Sequence, residues 1–311
     1  MKNKQIKEFS IVVPVYNSAK SLIELYERID TVFNKMNRTF ELIFVNDCSK
    51  DDSLSILKEI HDQYENVKVI DLFSNFGQQN ALMCGFNYCS GNLVITLDDD
   101  LQNPPEEIPK LVEKLNEGYD AVFGFYTYKK DKFYKNIGSS MIRMLNHRIF
   151  NVKNNLKFSS FRIIKKEVID QIKENRTKFP YISGMILGTT KNISNVTLLH
   201  EKRKYGKSNY TVKKLLNISF NLLINYSTIP LRFFGYIGLL ISFLSFFIGS
   251  IFIIRKLISK EPPTGWTSLI VLISFYNTLI LIIFFIIGEY ISRILKESSN
   301  AKQYSIRSIL K

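Results

Sequence analysis

The sequence predicts an α/β fold, a mostly parallel sheet with helices on both faces, followed by an interfacial amphipathic helix and a two-helix transmembrane hairpin. Three observations predict it. Short apolar runs alternate with helix-patterned segments over the first 125 residues, a narrow polar stripe marks residues 211–225, and two long charge-free runs fill most of the last third. At 311 residues the chain can hold one sizeable domain and an appendage. A composition that is 46% hydrophobic, with 24 Phe and 16 Tyr, excludes disorder.

In chain order, Ser10–Val15, Phe40–Val45, Val67–Leu72, Leu93–Leu97 and Ala121–Phe125 read as strands. Three are almost wholly apolar, as strands covered on both faces must be. Ser18–Met36, Asp51–Tyr64, Gln78–Cys89 and Pro104–Asn116 carry helical patterning. The last opens with Asn103 as cap residue, prolines in the first turn and Glu106 as the early acid. Repeated β-α-β units give parallel pairing, and ligands then bind beyond the carboxyl ends of the strands. Further on, Lys129–Lys135 is a basic, aromatic loop and Arg162–Lys173 reads as a helix.

Lys213, Asn217, Asn221 and Asn225 recur every four residues in an otherwise apolar stretch, a pattern suited to a bilayer interface. Pro230 ends that helix. Phe233–Ile254 and Trp266–Gly288 hold no charge, and each exceeds the ~20 residues that cross a hydrocarbon core. The expected organisation is a soluble domain over 1–210, a juxtamembrane helix over 211–232, spans at about 233–254 and 266–288 within 233–290, and a basic tail over 291–311. Lys202, Arg203, Lys204, Lys207, Lys213, Lys214 and Arg232 before the pair, with Arg293, Lys296, Lys302, Arg307 and Lys311 after it, outweigh Arg255, Lys256 and Lys260 in the loop. The positive-inside bias puts the soluble domain and the carboxyl terminus in the cytosol, on a multi-pass protein of the cell membrane.

A net charge of +14 points to an anionic partner. No nucleic-acid motif is present, so membrane and phosphate are favoured over nucleic acid. Cys48, Cys84 and Cys89 form neither a metal motif nor an even disulfide set and read as reduced. Met1–Phe9 lacks the apolar run of a cleaved export signal.

The sharpest chemical signal is Asp98-Asp99-Asp100 at the end of the fourth strand. Adjacent carboxylates repel unless a cation lies among them, and oxygen-only ligands suit Mg²⁺ or Mn²⁺ shared with phosphate oxygens. Pro14-Val15-Tyr16-Asn17 and Asn46-Asp47-Cys48-Ser49 end the first two strands on the same edge. There, a carboxylate such as Asp47 can accept from a base N–H, and Tyr16 can stack. No GxGxxG or P-loop is present.

With these stretches stand Asn75-Phe76-Gly77, Asp98 to Glu106, Ser160-Phe161-Arg162, Arg203 to Tyr210, Pro230-Leu231-Arg232 and Gly288 to Arg293. In this order the set resembles the family-2 glycosyltransferases of GT-A, Rossmann-like fold, and more narrowly the polyprenyl-phosphate glycosyltransferases. That group contains dolichol-phosphate mannose synthase and bacterial enzymes that charge undecaprenyl phosphate. The resemblance implies inverting, metal-dependent transfer from a UDP- or GDP-sugar to a polyprenyl phosphate, supplying lipid-linked sugar for the cell envelope and its lipopolysaccharide. Richness in Lys, Asn and Ile points to a bacterium and so to undecaprenyl phosphate.

The same likeness implies that Pro14, Val15, Tyr16, Asp47, Asn75, Asp98 and Asp99 hold the nucleotide-sugar, and that Asp98 and Asp100 hold the metal. Arg162, Arg203, Lys207, Ser208 and Tyr210 would serve the phosphates or the acceptor, with Arg203 joining Asp98 and Asp100 in catalysis. It also implies a homo-oligomer and a flippase partner. Five positions depart from the pattern: Ser18, Asn46 and Ser160 stand where acids are frequent, Cys48 where glycine is common, and Ser74 where a basic residue is frequent. Two other functions fit the same architecture. One is a non-catalytic membrane-tethered scaffold or flippase partner; the other is a processive polysaccharide synthase, which would carry a QxxRW-type motif, whereas the sole Trp here is Trp266.

Overall fold

The computed structural model describes residues 7–126, 149, 156–175, 177–199, 201, 204, 227, 229–258, 265–298 and 302–311. Among the described residues eight strands form one sheet: β1 (Phe9–Val15), β2 (Phe40–Asn46), β3 (Val67–Leu72), β4 (Leu93–Thr96), β5 (Ala121–Tyr126), β6 (Arg162–Lys165), β7 (Ile193–Leu198) and β8 (Ile306–Leu310). Their order is β7-β5-β6-β4-β1-β2-β3-β8. β3-β2-β1-β4 is a parallel core; β6 runs antiparallel to β4 and β5, and β8 antiparallel to β3.

β1 and β2 are buried at every position because helices cover both faces. On one face Ile11, Val13 and Val15 meet α1 (Leu22–Met36), which buries Leu22, Leu25, Tyr26, Ile29, Val32 and Phe33 at helical spacing. α1 ends at Asn37, whose left-handed φ of 52° lets its N–H reach the carbonyls of Asn34 and Phe33. α2 (Ser53–Gln63) and α4 (Ile108–Asn116, after a 3-10 turn at Pro105–Glu107) share this face. On the other face Val12, Val45 and Val94 meet α3 (Gln78–Phe86), α5 (Lys166–Lys173) and α6 (Ile182–Thr189). Each such large apolar side chain contributes about 1.5–3 kcal/mol through burial.

Two expectations change. The stretch 162–173 is not one helix: Arg162–Lys165 is strand β6, and helix begins only at Lys166. Its Ile163 and Ile164 fill both sheet faces between β4 and β5, so pairing on two sides overrides helical periodicity. The carboxyl-terminal tail is not merely a basic extension, since Ile306–Leu310 closes the sheet beside β3.

The chain forms two compact units, 1–215 with 301–311, and 216–300. In the second, α7 (Ile229–Ile258) and α8 (Trp266–Ser298) cover the two charge-free runs. Pro230 falls in the first turn of α7, where its missing N–H leaves nothing unpaired. Among the described residues one segment, Phe275–Leu295, is long and apolar enough to cross a membrane, with a mean hydropathy of 2.1. The expected interfacial helix at 211–225 lies outside the described residues.

Candidate active site at the carboxyl edge of the sheet

The parallel strands end together, and the chain turns sharply at three of them. Asn17 after β1, Cys48 after β2 and Leu101 after β4 adopt left-handed φ angles of 54°, 57° and 59°. Side chains hold these turns. The Asn17 N–H donates to Ser49 Oγ at 3.0 Å, and Asn17 Oδ1 accepts the Lys50 N–H at 2.7 Å. The Ser18 N–H donates to Ser53 Oγ, and the Ala19 N–H to Asp51. A left-handed non-glycine residue costs about 1–2 kcal/mol, partly offset by the greater chain entropy that glycine loses on folding. Cys48→Gly is therefore expected to stabilise the protein by about 0.5–1 kcal/mol, read as a melting temperature higher by about 2 °C.

Asp98, Asp99 and Asp100 lie at the mouth of β4, all part-exposed. Asp98 Oδ1 accepts Gln78 Nε2 at 2.7 Å; Asp98 Oδ2 accepts the Ser160 hydroxyl and Asn103 Nδ2, the latter at 3.2 Å. Asp99 ties β4 to β1: its Oδ2 accepts the Tyr16 N–H at 3.1 Å, and its carbonyl accepts Ser21 Oγ at 2.6 Å. Asp100 Oδ1 accepts the Gln102 N–H. Burial raises the Asp98 carboxyl above its usual range, with Asp100 adding to the effect and Ser160 and Arg162 opposing it. Burial likewise pushes Asp99 up to about 6 against hydrogen bonds from Ser18 and Tyr16.

Asp98 and Asp100 repel one another, and a divalent cation would relieve that repulsion. Among the described residues no three His, Cys, Asp or Glu side chains converge as a closed metal cage. An ion held by Asp98 and Asp100 would keep positions open for phosphate oxygens or water, as an ion shared with a substrate requires. The residues fit the group.

The other expected site residues divide. Tyr16 and Asn75 are exposed at this edge. Pro14 and Val15 are buried inside β1, a central strand, and offer no surface to a ligand. Asp47 is turned inward: it accepts the N–H groups of Phe76 at 2.7 Å and Gly77 at 2.8 Å, and so fixes the loop that opens α3. Its carboxyl is raised by burial against those two bonds. Arg162 is enclosed rather than surface-facing. Its Nε donates to Thr96 Oγ1 at 3.1 Å and its Nη1 to Ser183 Oγ at 2.9 Å, over the Phe123 ring. Burial pushes its guanidinium down to about 10, and its charge steadies Asp98 from behind.

Arg203, Lys207, Ser208 and Tyr210 lie outside the described residues. Leu199 and Glu201, shortly before them, are described. The Glu201 N–H donates to the Gln102 carbonyl at 3.0 Å, and Arg28 clamps Glu106 at 2.7 Å and Glu201 at 3.0 Å, while the Leu199 N–H donates to Glu107. The segment therefore passes beside the acidic loop just before Arg203.

Sequence reading missed Gln78 and Asn103. Asn103 does not cap the following helix; it holds Asp98 while accepting the Tyr126 hydroxyl. The available signal was polar side chains in the first residues after strand ends that face the ligand edge.

The family model described as glycosyl transferase family 2 matches residues 10–173, just over half of the chain. The chain belongs to glycosyl transferase family 2. As a whole this glycosyltransferase is 34% identical, over 96% of its length and 93% of the relative's, to an uncharacterized glycosyltransferase, YkcC, of Bacillus subtilis. It is 31% identical, over 98% of its length and 94% of the relative's, to an undecaprenyl-phosphate 4-deoxy-4-formamido-L-arabinose transferase of Klebsiella pneumoniae. Its fold matches glucosyl-3-phosphoglycerate synthase of Mycobacterium tuberculosis in a crystal structure with Mn²⁺, UDP and glucosyl-3-phosphoglycerate. That match has a TM-score of 0.52 and 18% identity, over 70% of this chain and 78% of that one. The family-2 glycosyltransferase thus has the GT-A α/β fold with a mostly parallel sheet.

Proposed function

We propose that this glycosyltransferase moves a sugar from a UDP- or GDP-sugar to a polyprenyl phosphate, undecaprenyl phosphate in a bacterium, with inversion at the anomeric carbon. The observation that carries the reading is the carboxylate trio at the ligand edge, braced by Tyr16, Gln78 and Ser160, with the chain toward Arg203 passing alongside. The near-full-length likeness to the undecaprenyl-phosphate transferase supports the acceptor class.

Asp98 and Asp100 would hold Mg²⁺ or Mn²⁺, which when bound neutralises the departing diphosphate. Tyr16 offers an exposed ring against which the base can stack, and Asp99 sets its position through the Tyr16 N–H. Arg203 and Lys207 would add donors to the phosphates. The acceptor phosphate, with a second pKa of about 6, is already ionised at neutral pH and needs no base. Ser160 accords with that chemistry: it donates to Asp98, where a carboxylate would add repulsion.

The two charge-free helical runs would cross the bilayer as a hairpin, and the basic flanks would place the catalytic domain on the cytosolic side, where nucleotide-sugars are made. The test is a panel of labelled UDP- and GDP-sugars incubated with membranes containing the protein and Mg²⁺ or Mn²⁺. Label from one donor is expected in extractable lipid, and chelation should stop it. Label only in polymer would favour a processive synthase, and no metal-dependent release from any donor would favour the scaffold reading.

A further inference from the structure

The carboxyl-terminal strand reaches the ligand edge through one buried acid. Asp71, at the end of β3, is 2% exposed. Its Oδ2 accepts Arg307 Nη1 of β8 at 3.2 Å, and its Oδ1 accepts Asn46 Nδ2 of β2 at 2.7 Å. Arg307 donates also to the Phe73 carbonyl at 3.2 Å, and its guanidinium sits 5.5 Å from the centre of the exposed Phe73 ring. Asn46 continues the chain of bonds. Its Oδ1 accepts the Ser49 N–H at 3.3 Å, and Ser49 Oγ accepts the Asn17 N–H at 3.0 Å. The connected groups thus run from β8 to Asn17 and to Ser49 beside Cys48, the left-handed turns on either side of the edge where Tyr16 stands.

The direction of that chain depends on charge. A side-chain amide can point either way, but an ionised carboxylate only accepts. Asp71 therefore fixes the Asn46 NH₂ toward itself and leaves the Asn46 oxygen for Ser49. A carboxylate this enclosed keeps its charge at low cost only beside a cation, and Arg307 is the cation, bonded to it from a side chain 47% exposed. Removing Arg307 would take away the ion pair that holds the Asp71 carboxylate in place, and the orientation of Asn46 would no longer be enforced.

We infer that Arg307 is a positioning residue for the nucleotide half of the site, acting through Asp71 and Asn46 on the Asn17 and Cys48 turns. The inference rests on the proposed nucleotide-sugar chemistry, so its test reads binding rather than turnover. Full-length protein in detergent or nanodiscs is titrated with UDP and with GDP in the presence of Mn²⁺. Wild type is expected to bind one of them; binding of neither overturns the functional reading and this inference with it. For that nucleotide, Arg307→Ala is expected to weaken binding roughly fivefold to tenfold and Arg307→Lys about twofold. Asp71→Asn, which keeps a partner for Asn46 but loses the charge, should weaken it about as much as Arg307→Ala. The double variant should be no weaker than either single one, because both act along one route. An Arg307→Ala protein that melts at a lower temperature yet binds as wild type does, or single losses that multiply in the double variant, would overturn the inference while leaving the functional reading intact.

Discussion

Asp100→Asn is expected to lower sugar transfer to lipid by roughly a thousandfold, the scale on which lost electrostatic stabilisation of a developing charge acts. The replacement keeps size and shape and can still accept the Gln102 N–H at its amide oxygen, so the loop after β4 should stay closed. What it removes is negative charge at the one place where three carboxylates adjoin. Asp98 would already serve the ion from its own side, and Asp99 is committed to Tyr16, so neither replaces Asp100. Because the change also relieves repulsion on Asp98, the metal-free variant should melt no lower than wild type. The checks are lipid-extractable product, melting temperature and membrane insertion, side by side. Turnover within a few-fold of wild type would remove Asp100 from the proposed chemistry.

Lys68→Met is expected to destabilise the protein by about 3 kcal/mol at pH 7.5, although it lies away from the site. Glu41, 3% exposed on β2, accepts Lys68 Nζ, the Ser10 and Ser90 hydroxyls and the Ser90 N–H, so it ties β1, β2, β3 and the loop before β4 together. Burial works to raise its pKa, yet the bonds from Lys68, Ser10 and Ser90 prevail and hold it below 4.5. An acid with a depressed folded pKa contributes stability that is present above its unfolded value and lost as pH falls through the folded one. The gap between wild type and Lys68→Met should therefore be widest at neutral pH and narrow as pH drops below 4.5. Melting curves at pH 7.5 and in the acid range measure it. A gap that does not change with pH would mean the lysine acts through its methylene packing alone.

Three of the strands β1 to β5 were readable as near-continuous apolar runs, as a sheet covered on both faces requires, and the others from their alternation with helix-patterned segments. The acidic trio stands out in the sequence because adjacent carboxylates repel one another, and the fold puts it at the end of β4. β6 was not readable: Arg162-Ile163-Ile164-Lys165 runs into a genuine helix, and only pairing with β4 and β5 separates the two. β8 was hidden for the opposite reason, since five residues within a basic tail present no apolar run of their own. Asp47 and Arg162 show a limit of another kind. Motif position located them near the ligand edge, but whether a side chain faces the solvent or the loop behind it is decided by long-range packing. Ser160 gained meaning from the fold, because its hydroxyl is a donor to Asp98 rather than a missing base.

The strand that finishes the sheet is made only after the two long apolar helices. Residues 216–300 separate two stretches of one compact unit, so that unit stays one strand short until β8 has been synthesised. A nascent chain must carry β3 as an open edge, with Asp71 lacking its arginine, throughout the synthesis of two long apolar helices. Cutting the protein at Asn300 to obtain a water-soluble enzyme would make that transient state permanent, and the truncated form should aggregate through its bare edge.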